Sequence, residues 1–112
     1  MTTPQEVFDI ADAIYNLPQE ETFLESCAVA SARHRRAVEM HDKASALLDG
    51  TDRPNWVYAR GCHSAASRAH DAAAQCCDRE ERMHDCLCVG DISEQAWKAT
   101  GFAYNASAAL VG

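Results

Sequence analysis

Histidine and cysteine recur at one rhythm on two neighbouring stretches of the chain. The first stripe runs Phe23, Cys27, Ala30, His34, Ala37, His41, Ala44, Leu48. The second runs Trp56, Ala59, His63, Ala66, His70, Ala73, Cys77, Glu80, His84, Leu87. Imidazole and thiolate are good ligands for Zn or Cu, so His34, His41, His63, His70, Cys27 and Cys77 are metal-ligand candidates. Seven helical residues rise about 10 Å, so one ion cannot reach two histidine levels. Each facing pair supplies two ligands, and the others must come from water, another helix or another chain. The competing reading makes each histidine a mid-sized seam residue hydrogen-bonded to its opposite number. Most buried polar groups are satisfied in this way, and it is the default expectation.

A second cluster joins Glu80, Glu81, His84, Cys86 and Cys88, with Cys76 and Cys77 upstream. The run Glu81-Arg82-Met83-His84 resembles the Glu-x-x-His spacing of di-iron helical bundles. The resemblance covers four residues and implies Fe at Glu81 and His84. A second Glu-x-x-His is absent, so a dimer would have to complete such a site. The alternative is a solvated helix end rich in charge, Asp78 to Arg82. There is no Gly-rich phosphate loop and no nucleophile elbow, and cysteines within helices are usually inert thiols. The expectation is a protein that is not an enzyme and has no cofactor, with Zn, Cu or Fe binding as the alternative.

The elements that position these residues follow from the same rhythm. Steps alternating between three and four mark the seam of a helix, and Gly50-Thr51-Asp52-Arg53-Pro54 separates the two stripes. Folded at residue 52, the stripes are palindromic. His34 meets His70, His41 meets His63 and Cys27 meets Cys77, with alanine pairs (Ala30 with Ala73, Ala37 with Ala66, Ala44 with Ala59) between them. Alanine levels allow helix axes to approach at the lower end of about 8–10 Å. A long antiparallel helical hairpin results.

Two shorter helices flank the hairpin. Thr3-Pro4-Gln5-Glu6 combines a capping box with a first-turn proline and predicts a helix to about Asn16, ended by Pro18. Its apolar face is Val7, Ile10, Ala11 and Ile14. The first hairpin arm starts between Pro18 and Thr22 and reaches about Asp49, with Glu39 and Lys43 as an i,i+4 pair. The second starts at Thr51 or Asp52, is weakened at Gly61 and ends at Val89, before Gly90. Asp91-Ile92-Ser93-Glu94 caps a fourth helix to about Leu110. That helix is apolar nearly all round, which predicts burial or half of a homodimer interface. Residues 1–112 are therefore expected to form a single all-α domain, four-helix bundle-like.

Charge narrows the partners. The net charge is −7, which opposes phosphate-mediated nucleic-acid binding and suits a basic protein partner. From Met1 to Ser26 the chain carries Glu6, Asp9, Asp12, Glu20, Glu21 and Glu25 and no Lys or Arg. These six carboxylates are the expected partner-binding surface. No apolar run approaches the roughly 18 residues of a membrane span, and no secretory signal is evident. A cytoplasmic location with cysteines as thiols is expected. In size, charge and helical class the chain is similar in outline to phage-encoded inhibitors of host defence, such as anti-CRISPR proteins. That likeness implies a non-enzymatic inhibitor acting by protein binding.

Overall fold

The computed structural model describes residues 2–17, 27–79 and 87–111, with the side chains of residues 87–90 excepted. Among the described residues there are four α-helices: α1 (Pro4–Tyr15), α2 (Cys27–Leu47), α3 (Pro54–Asp78) and α4 (Leu87–Val111). Each helix packs on the next, and α1 closes the ring by packing on α4. This is the all-α bundle expected from the sequence, elongated to 44 × 20 × 18 Å.

The start of α1 is as expected. Thr3 Oγ1 accepts a hydrogen bond from the Glu6 backbone N–H (3.2 Å), and Pro4 lies in the first turn. Val7, Ala11 and Ile14 are buried at 0–1% exposure. Phe8 and Tyr15 lie to one side and meet the ring of Tyr104, at centroid distances of 5.5 and 4.6 Å.

The hairpin register is also as expected. Cys27, Ala30, His34, Ala37, His41, Ala44 and Leu48 are buried on one arm, and Ala59, His63, Ala66, His70, Ala73 and Cys77 on the other. Gly50 adopts φ 78°. That is the left-handed region glycine enters without steric cost, and it ends the helix arm. The next helix begins at Pro54 rather than at Thr51 or Asp52. Arg53 is extended (φ −70°, ψ 126°), as a residue before proline prefers. Gly61 sits within α3 without interrupting it.

Three local expectations are revised. First, α3 stops at Asp78 and does not continue to Val89; Arg79 caps it through its N–H to the carbonyls of Cys76 and Cys77. Second, Gly90 lies inside α4 and stops neither helix. Third, the inward face of α4 is not its large apolar residues. Ser93, Ala96, Thr100, Ala103, Ala106 and Ser107 are buried, whereas Phe102 is 65% exposed. Small side chains line the seam face of α4.

Glu39 pairs with Arg36 (3.7 Å) instead of the expected Lys43. The expectations on Thr22, Phe23, Glu80, Glu81, His84 and Cys86, and on the Cys88 side chain, lie outside the described residues.

Candidate functional site

The interior of the bundle is polar at its centre. α2 and α3 each place two histidines on the seam, and all four are at 0% exposure. His34 Nδ1 lies 2.8 Å from His70 Nδ1, and His41 Nδ1 lies 2.8 Å from His63 Nδ1. These are the two pairs expected from the palindrome. Successive levels stack, with the His41 and His70 rings 5.6 Å apart at 20°. Trp97 of α4 covers the upper level, 5.4 Å from His34 and 4.5 Å from His70.

The outer ring nitrogens are satisfied by α4. His34 Nε2 lies 3.0 Å from Ser93 Oγ, and His63 Nε2 lies 2.7 Å from Ser107 Oγ. Thr100 Oγ1 serves two rings at once, His41 Nε2 at 2.9 Å and His70 Nε2 at 2.6 Å. All eight imidazole nitrogens therefore have partners. Among the described residues no buried side-chain nitrogen or oxygen is left unsatisfied, the condition for a polar core to be tolerated.

The sequence reading did not find these hydroxyls. The signal was present: Ser93, Thr100 and Ser107 recur every seven residues, with Ala96 and Ala103 between them, in the rhythm of the other two seams. A second ladder was missed too. Ser31 Oγ donates to Asp78 Oδ1 (2.5 Å), Ser67 Oγ donates to Asp42 Oδ1 (2.5 Å), and Ser45 meets Ser64 (2.9 Å). Arg35 forms an ion pair with the same Asp78. This ladder flanks the histidine seam and is palindromic about the same turn.

Burial sets the histidine chemistry. Loss of hydration lowers His34 and His63 to about 4 and His41 and His70 to about 3, from 6.5. Neighbouring charge comes second: Arg33 for His34, His63 and His70 for His41, and His34 for His70. Like-charge repulsion between facing rings acts in the same direction, but desolvation is the larger cause. At neutral pH all four are uncharged imidazoles.

Cys27, Cys76 and Cys77 form a buried cluster with Ala30 above the His34 level, with Ile92 packed on it. All three are thiols. No three His, Cys, Asp or Glu side chains converge on a metal position among the described residues. Of the acidic candidates, Glu6 and Asp9 are exposed and Asp12 is half-buried. Gln5 Nε2 donates to Asp9 Oδ1 (2.7 Å), and Asn16 Nδ2 donates to Asp12 Oδ1 (3.2 Å). Asp9 also borders a groove with Arg36 and Lys43 of α2. Glu20, Glu21 and Glu25, like Glu81 and His84, lie outside the described residues.

No family model, curated protein or solved structure matches the chain in any of the three comparisons. No helix among the described residues is long and apolar enough to cross a membrane.

Proposed function

We propose that the chain is a non-enzymatic binding module that docks the acidic outer face of α1 on a basic surface of a protein partner, in the manner of a small inhibitor. One observation carries this reading. Burial of Val7, Ala11 and Ile14 fixes the roll of α1, so that Asp9 and Asp12 lie on the side opposite the buried face, Asp9 exposed and Asp12 half-buried, within the row Gln5, Asp9, Asp12, Asn16. Amides at four-residue spacing hold both carboxylates, which reduces the side-chain entropy lost on binding. No Lys or Arg in α1 offsets them, although Arg36 and Lys43 moderate the field beside Asp9. Glu20, Glu21 and Glu25 would extend the acidic surface.

The test uses a partner recovered by pull-down from the native host. Reversing Glu6, Asp9 and Asp12 to Lys slows association at low salt and makes little difference at high salt, because peripheral charges act chiefly on association rate. The fold survives, since the buried face of α1 is untouched. Association as fast as wild type at both salts would move the docking surface to the basic side of α2 around Arg33 and Arg36.

A second reading, binding of Zn, Cu or Fe, draws on the face-to-face ring nitrogens. An ion takes imidazole nitrogen at about 2.0–2.1 Å, so a pair 2.8 Å apart would have to open by roughly 0.5–1 Å to hold one between its rings. It would also displace the shared proton. Metal analysis of protein purified without a histidine tag decides this reading independently of any partner. A homodimer through α4 would use Phe102 and its surroundings, because the seam face of α4 is filled by α2 and α3.

A further inference from the structure

The polar side chains of the core form one unbroken line. It runs Ser93, His34, His70, Thr100, His41, His63, Ser107, with links of 3.0, 2.8, 2.6, 2.9, 2.8 and 2.7 Å. Its ends lie fourteen residues apart on α4, about 21 Å along the axis. Every member is at most 1% exposed.

Proton positions along the line are not independent. A neutral imidazole has one N–H and one bare nitrogen. In each facing pair one Nδ1 donates and the other accepts, so the two rings hold opposite tautomers. Thr100 lies between the pairs with a single O–H. If it accepts from His70 Nε2–H, it donates to the bare Nε2 of His41, and the reverse holds in the opposite direction. We infer that the seven side chains form a single directional hydrogen-bonded chain, in which His34 and His41 share one tautomer, His63 and His70 share the other, and all four reverse together through Thr100.

The competing arrangement has Thr100 accept from both rings and turn its O–H to the carbonyl of Ala96, one turn back on its own helix. That carbonyl already serves the helix ladder, and such back-bonding is weakly destabilising. Donation to a bare imidazole nitrogen uses the hydroxyl fully. A relay of this kind carries an effect from one end of the bundle to the other with no helix movement. A change at Ser93 reorients the proton on His63, two histidine levels away.

Nitrogen-15 NMR of histidine-labelled protein at pH 7.5 reads which ring nitrogen carries the proton. The Nδ1–H fraction of His34 is expected to equal that of His41, and His63 and His70 to show the complement. Opposite tautomers on His34 and His41 would show Thr100 accepting twice and overturn the proposal. Where all four sit at half, the relay is read by perturbation. Ser93→Ala shifts the His63 tautomer balance when Thr100 or Thr100→Ser supplies the hydroxyl, and leaves it unchanged with Thr100→Val. No shift at His63 with Thr100 present, or an equal shift with Thr100→Val, overturns the relay. The wild-type and Ser93→Ala spectra decide the matter even where Thr100→Val does not fold.

Discussion

The two halves of the bundle are built on different physics. At the α2–α3 turn, Val7, Leu48, Ala59 and Ala106 form an apolar cluster with Leu47, Trp56, Cys62 and Leu110 against it. Such burial contributes roughly 25 cal/mol per Å2 without regard to direction. In the middle of the bundle, the same seam positions hold histidines and hydroxyls. Their burial gains little in itself, and each link contributes only about 0.5–1.5 kcal/mol net. What the centre supplies is selectivity of register. Sliding α3 by one turn along α2, with α4 held in place, would strip six imidazole nitrogens of their partners, the four facing Nδ1 atoms and the Nε2 atoms of His63 and His70.

The largest expected effect separates the halves by pH. In the unfolded chain each histidine binds a proton near pH 6.5, whereas the folded values are about 3 to 4. The unfolded state therefore binds more protons as pH falls below 6.5, and stability is lost through that window down to about pH 4. From pH 7.5 to 5.5 the four groups together cost roughly 5 kcal/mol, at about 1.4 kcal/mol per pH unit each. Denaturant melts at the two pH values check this, and equal stability at both would refute the neutral buried core. His34→Gln with His41→Gln should remove about half of the loss.

Next in size is the removal of one link. His41→Ala leaves His63 Nδ1 and Thr100 Oγ1 with a lost partner and opens a cavity, an expected cost of about 3–5 kcal/mol. At the apolar end, Leu48→Met keeps volume and character and should cost less than about 1.5 kcal/mol. If urea midpoints give the two substitutions similar costs, the contrast between the halves fails.

The alanine levels lie between these extremes. Ala37 and Ala66 are both at 0% exposure, so Ala37→Leu overpacks the seam by about 1–3 kcal/mol. An unchanged thermal midpoint would place the close approach of the helices elsewhere. The smallest effect is on the outer surface. Gly61 has open space where a Cβ would stand, and Gly61→Ala should raise stability by roughly 0.5–1 kcal/mol through helix propensity alone.

Much of this was legible in the order of residues. The palindrome of His34, His41, His63 and His70 about Asp52 determined the hairpin and its register, because a helix seam repeats every three or four residues and a short turn forces the arms to meet in reverse order. The caps at Thr3 and Gly50 marked helix ends through backbone rules that act within a few residues. Tertiary structure alone decided what the histidines do. Each ring has a second nitrogen, and its partner comes from α4, up to 59 residues away, where Ser93, Thr100 and Ser107 repeat every seven residues but no local pattern says which rings they meet. The end of α3 at Asp78 and the passage of α4 through Gly90 likewise did not follow from local signals. A glycine stops a helix only when burial on the far side does not repay about 1 kcal/mol, and that balance depends on neighbours no local pattern names.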